Sequence, residues 1–181
     1  MARGSDGSDR YGIDRRAFLG GAAALLLHPR LLWADAAGSL PEATQQALEA
    51  SSFVYVSPLR SDGAESTCHG EVWYGWIDGA VVLNTSKTTW KALALNRGLD
   101  RARLWVGDYG RWKGVLASRN DGFRKGPSFD ARAERVADAA VNDRLLALYD
   151  RKYPGEIGKW RDKMRDGFAS GDRIAIRYRP I

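Results

Sequence analysis

The sequence predicts an α+β protein with an antiparallel barrel or curled sheet at its centre. Three observations carry this reading. Six short stretches rich in aromatic and β-branched residues are separated by turn residues. Helix-period patterns gather in the later part of the chain. The final stretch, Arg173-Ile174-Ala175-Ile176-Arg177-Tyr178, alternates as a half-buried strand does. A length of 181 residues suits one domain with an appendage, and 7 Trp, 7 Tyr and 5 Phe exclude a chain disordered throughout.

The appendage comes first. Asp14-Arg15-Arg16-Ala17-Phe18-Leu19-Gly20 leads into an apolar run over 22–27, which resumes at Leu31-Leu32-Trp33 and ends at the small residues Ala34 and Ala36. A basic region, a short apolar core and an A-x-A site describe a secretory signal. Residues 1–36 are therefore expected to be an export signal, with residues 37–181 forming one domain. His28, Pro29 and Arg30 interrupt the apolar run, which is shorter than the roughly 20 residues of a membrane span. The membrane is then met only during export. The arginine pair before Phe-Leu resembles a twin-arginine signal, with Asp14 and Gly20 departing from the usual pattern. The resemblance implies a periplasmic or extracellular location.

The remaining elements follow in order. Residues 41–50 read as a short helix, and Phe53-Val54-Tyr55-Val56-Ser57 as a strand. After the turn at Ser61-Asp62-Gly63, residues 71–77 form a second strand, and Asp78-Gly79 marks a hairpin into Ala80-Val81-Val82-Leu83. Residues 85–98 fit a helix closed by Gly98. Residues 101–106 and 112–117 are paired strands around Asp108-Tyr109-Gly110, and 118–128 a polar loop. A long helix over 130–152, a break at Pro154-Gly155 and a helix over 156–168 precede the last strand.

Composition narrows the chemistry. One Cys excludes an intramolecular disulfide and a cysteine zinc cluster, and two His leave little for a histidine metal site. Without residues 1–36, His69 is the one histidine left. A net charge of +6 suits an anionic ligand and is too weak to argue for nucleic acid. Cys68 reads as a buried small residue. Trp73, Trp76, Trp90, Trp105 and Trp112 suit a core, a dimer interface or a ring-stacking surface. Arg101, Arg103, Arg111 and Lys113 suit a solvated sheet face or an acidic substrate. Thr85, Ser86, Thr88 and Thr89 supply hydroxyls, and Lys87 and Lys91 ammonium groups, for a phosphate; the same residues also suit a capped surface helix.

The order of these motifs resembles the pyridoxamine 5'-phosphate oxidase-like, FMN-binding split-barrel superfamily. The residues that carry it are Phe53-Val54-Tyr55-Val56, Asp62-Gly63, Val72-Trp73-Tyr74, Asp78-Gly79, Thr85-Ser86-Lys87-Thr88-Thr89-Trp90-Lys91-Ala92, residues 101–107 and residues 149–153. The resemblance implies a six-stranded antiparallel split β-barrel with flanking helices. It implies a homodimer with flavin mononucleotide across the interface, the phosphate on Thr85, Ser86, Lys87, Thr88, Thr89 and Lys91. His69, Gly70, Glu71, Val72 and Trp73 would run along the flavin ring, Gly70-Glu71 standing where many members have a proline. Deazaflavin or haem in the same cleft is the close variant.

The resulting expectation is an exported flavin-binding oxidoreductase acting on a small molecule, its hydride chemistry supplied by the cofactor. Two other classes compete: a cofactor-free barrel that binds a ligand or partner, its flavin site decayed, and a Trp-rich carbohydrate-binding module.

Overall fold

The structure, a computed structural model, describes residues 40–110 and 121–181. The expected signal over 1–36 and the expected strand over 112–117 lie outside the described residues.

The chain runs α1 (Glu42–Ala50), β1 (Val54–Pro58), β2 (Gly70–Val72), β3 (Gly75–Ile77), β4 (Ala80–Ser86), α2 (Trp90–Asn96), β5 (Arg101–Val106), β6 (Ser128–Val136), α3 (Ala139–Lys152), α4 (Arg161–Ser170) and β7 (Arg173–Pro180). The seven strands form one antiparallel sheet in the order β2-β1-β5-β6-β7-β4-β3. Its two edges, β2 and β3, are consecutive in sequence and joined by only Trp73 and Tyr74. Three Cα–Cα steps of about 3.8 Å allow the edges to stand no more than about 11 Å apart there. The sheet must therefore curl until its ends meet, which makes it a barrel.

Alternation gives the barrel its inside and outside. Val54, Val56, Val81, Leu83, Leu104, Val106, Ile174 and Ile176 fill the inside together with Leu48 of α1 and Ala92 of α2. On the outside, Val82 and Ala175 are covered by Val141, Leu145 and Tyr149 of α3 and by Met164 of α4.

Several elements differ from the expectation, each for a physical reason. The helix expected from residue 130 is a strand as far as Val136. Phe129, Ala131 and Ala133 are buried while Arg132 and Glu134 are exposed, so the period is two, and β5 and β7 both pair with it. The helix begins only after Asp138, whose Oδ1 accepts from the Ala140 N–H at 2.8 Å. The strand expected over 71–77 breaks at Trp73-Tyr74, where the sheet changes edge. β4 runs on to Ser86, which puts Thr85 and Ser86 in a strand and shortens the following helix to Trp90–Asn96. Cys68 is exposed, not buried, because it lies in the irregular segment before β2. No helix among the described residues is long and apolar enough to cross a membrane.

Candidate functional site

The end of β4 and the start of α2 bring the expected phosphate-binding residues together. Thr89 Oγ1 donates to the Ser86 carbonyl at 2.9 Å, so its single proton is already engaged. In the 3.1 Å contact between the Thr85 and Thr89 hydroxyls, Thr85 is therefore the donor. These two threonines hold the turn and offer no proton to a ligand. Ser86 Oγ accepts from the Thr88 N–H at 3.3 Å and lies 3.0 Å from Thr88 Oγ1, which leaves one hydroxyl proton of this pair to turn outward.

The two lysines of the segment have separate fates. Lys87 is exposed and donates to Asp172 Oδ1 at 2.8 Å, and the Lys87 N–H also bonds the Asp172 carbonyl at 3.0 Å. The Lys87 bond is the first cause that holds the Asp172 carboxyl below its usual range. Lys91 is buried at 8% exposure, and among the described residues its ammonium has no hydrogen-bonded or ion-paired acceptor. Its Nζ lies 5.0 Å from the centre of the Trp90 ring. Burial first, and then the charge of Arg173, brings the Lys91 amine down to about 8. A cation on a largely buried side chain beside a second cation, without an acid among the described residues, is held at a cost that a bound anion would lower.

Arg173 is the residue that sequence reasoning missed. It was legible only as a strand position, but β7 pairs with β4 so that Arg173 stands directly opposite Ser86. Its guanidinium donates Nε to Asn84 Oδ1 at 2.5 Å and Nη2 to the Asn84 carbonyl at 3.2 Å. Asn84 in turn donates to Asn142 Oδ1 at 2.9 Å, which ties the arginine to α3. Burial lowers the Arg173 pKa. The register across 87 residues of chain carried no signal in the sequence.

The residues expected along a flavin ring are placed differently from one another. Glu71 accepts from the Tyr55 hydroxyl at 2.5 Å, across a directly paired position of β1 and β2. Val72 is half-buried against the inner core. Trp73 stacks on Tyr153 at 4.4 Å and is packed under α3. His69 lies 3.6 Å from Asp121 and 5.1 Å from the Phe123 ring centre. Gly70 carries the Trp90 indole against its Cα, where a Cβ would meet the ring at 3.4 Å. Trp90 thus spans from the lysine segment to the start of β2. Trp76 packs on the inner core, and Trp105 Nε1 donates to Glu65 at 3.0 Å. Arg111, Trp112 and Lys113 lie outside the described residues. Among the described residues no group of His, Cys, Asp and Glu could hold a metal ion.

The donor set fits a phosphate: an ammonium on a buried side chain, without an acid among the described residues, a guanidinium across the sheet, and a free hydroxyl beside it. Glu71, the one carboxylate expected near the ring, already accepts a hydrogen bond from Tyr55.

No protein-family model matches the sequence, and no curated protein matches it. Solved structures do share its fold. Rv2991 from Mycobacterium tuberculosis superposes with a TM-score of 0.50 at 21% identity, over 76% of this chain and 79% of that one. ChuZ from Campylobacter jejuni gives 0.51 at 9% identity, over 76% of this chain and 51% of that one. A Clostridium acetobutylicum protein of the pyridoxinephosphate oxidase family gives 0.43 at 15% identity, over 76% of this chain and 80% of that one. The chain shares this fold, an α+β split barrel with seven strands and four helices among the described residues.

Proposed function

We propose that this split barrel binds flavin mononucleotide at the junction of β4, α2 and β7 and serves as an exported oxidoreductase for a small molecule. One observation carries the reading: the Lys91 side chain is buried near Arg173 without an acid to pair with among the described residues. Lys91 would hold the phosphate as a point charge, Ser86 or Thr88 would donate a hydroxyl, and Arg173 would add charge from the facing strand. Thr85 and Thr89 fix the turn that aims them. Lys87, already paired with Asp172, contributes less. Bound flavin supplies the hydride chemistry, and the chain supplies position and electrostatics.

The homodimer belongs to the same reading. Leu93 of α2 and Leu99 just after it are exposed, and a second copy would cover them. Sedimentation giving a monomer at micromolar concentration would remove the dimer. Export rests on the Arg15-Arg16 segment, and replacing both by Lys should keep the protein in the cytoplasm; unchanged export would overturn that part.

The flavin reading is tested by titration. Charge-assisted hydrogen bonds contribute about 1.5–3 kcal/mol, so Lys91→Ala should weaken flavin mononucleotide binding by about ten- to a hundredfold. Riboflavin, which lacks the phosphate, should bind both proteins alike. Equal mononucleotide affinity for the two proteins would make Lys91 a structural residue only. A wild-type protein that binds no flavin would favour the cofactor-free barrel, the reading to which the closed Thr85–Thr89 hydrogen bond lends support.

A further inference from the structure

The outer face of β5, β6 and β7 carries a row of like charges. Register sets Arg101 opposite Arg132, and Arg132 opposite Arg179, so three arginines stand side by side across three adjacent strands. Like charges directly opposite one another destabilise a sheet. Arg103 and Arg177 lie one pleat away on either side of the row. The acids nearby are already committed. Asp130 is held by Arg103 through two bonds at 2.8 and 3.1 Å. Glu134 Oε1 is shared by Arg177 at 3.1 Å and Arg179 at 3.2 Å. Glu65 accepts from Arg124 at 2.6 Å and from Trp105 at 3.0 Å. Asp100 forms a looser ion pair with Arg132, at 3.8 Å. Arg101 has no ion pair among the described residues, and the Arg132 side chain is 62% exposed.

A cleft of about 390 Å³ opens beside this row, on the Arg103 side. Leu40, Pro41, Phe129 and Ile181 give it an apolar wall, and Arg103 and Asp130 a charged one. Its volume falls within the range of small-molecule sites. A cleft of mixed lining with one apolar wall, one pleat from a row whose guanidinium groups outnumber the carboxylates beside them, has the two halves of one specificity. Planar guanidinium forks bind oxyanions bidentately, and Arg101 is the member of the row that no acid engages among the described residues.

We propose that the cleft and the Arg101–Arg132–Arg179 row bind a small amphipathic organic anion. Its apolar body lies in the cleft and its oxyanion head on the arginines. The site shares no residue with the β4–α2 junction, so it stands whether or not the chain binds flavin.

Octyl phosphate, below its micellar concentration and at low salt, is a suitable probe for calorimetry on the full chain. It should bind the wild type, and inorganic phosphate and octanol should each bind more weakly. Arg101→Gln combined with Arg132→Gln should weaken the probe by about tenfold, as expected for the loss of two exposed charge contacts. Both positions are exposed and mutually repelling, so the melting temperature of the double variant should not fall. Lys91→Ala should leave the affinity unchanged. Equal affinity in wild type and double variant would overturn the proposal. So would inorganic phosphate binding as tightly as the probe, or a loss of probe binding in Lys91→Ala.

Discussion

Under α3, Trp73 stacks on Tyr153 with ring centres 4.4 Å apart, and Tyr149 meets Trp73 edge-on at 5.9 Å. Across the outside of β1 and β5, Tyr55 stacks on Phe123 at 4.7 Å, and Trp105 meets Phe123 edge-on at 6.0 Å. The ring geometry is nearly the same, but the polar bonds that hold it are not. In the first cluster and at the Tyr74 of the inner core beside it, the phenols donate to backbone carbonyls: Tyr149 to Trp73, Tyr153 to Ser52 and Tyr74 to Leu48. In the second the donors reach carboxylates: Tyr55 reaches Glu71, while Trp105 and Arg124 reach Glu65. Burial holds the phenols of the first cluster above their ordinary range, so those donors keep their protons at any ordinary pH. The second cluster depends on ionised acids. One half of the coat around the barrel is therefore set by packing, and the other by charge.

The largest expected effect breaks the packed half. A Cβ at Gly75 would meet Leu145 Cδ1 at 2.8 Å and Leu148 Cδ1 at 3.0 Å, both from α3. Gly75→Ala should push α3 from the sheet and cost about 1–3 kcal/mol, read by urea denaturation. A cost near zero would mean that α3 adjusts freely and that the packing is loose.

A smaller effect tests a cation in that half. Lys152 Nζ lies 3.5 Å from the Tyr74 ring centre, and burial brings its amine down to about 8. The unfolded lysine titrates near 10.5, so between about pH 8 and 10.5 the unfolded chain holds more protons than the folded one. Stability therefore rises with pH through that window, and below it the full cost of the half-buried charge is present. Lys152→Met should raise the melting temperature at neutral pH and remove part of the alkaline rise. Lys91 titrates in the same window and should account for the remainder. An unchanged alkaline profile would show that the cation–ring contact already offsets the burial.

The smallest effect belongs to the charged half. Burial tends to raise the Glu65 pKa, but the nearby Ser57 hydroxyl, the hydrogen bonds from Arg124 and Trp105 and the Arg124 charge outweigh it, and the net shift is downward. Its contribution is thus present above the ordinary 4.5 and is lost as pH falls through the lower folded value. Glu65→Gln should flatten the acid side of a melting-temperature profile and leave the alkaline side alone. A parallel displacement of the whole profile would mean that the residue acts by shape.

Much of the barrel was legible because its strands alternate or sit between clear turns. Asp78-Gly79 forms its hairpin, with Asp78 at φ 52° and Gly79 at φ 72°. What misled was local pattern read over too long a window. Alanine and arginine at 131–135 have good helix propensity, and only pairing on both sides makes that segment a strand. The lysine and hydroxyl segment stood out by residue type, and the structure separates Lys91 from Lys87 by burial, which type cannot show. Arg173 and the arginine row were hidden for a different reason. Each depends on which strands lie side by side, and that order is set by the whole sheet.

The strand order also bears on how the chain is made. β7 lies between β6 and β4, so the last strand bridges the sheet. A ribosome that has released the chain only as far as α4 holds two separate pieces, β2-β1-β5-β6 and β4-β3, each with a long unpaired edge. Loop closure between β4 and β7 spans most of the domain, which makes folding slow, and such edges are prone to pair with other chains. Barrel closure is therefore an event that follows synthesis of β7. Until then, a holding factor in the cell would find two open strand edges to shield.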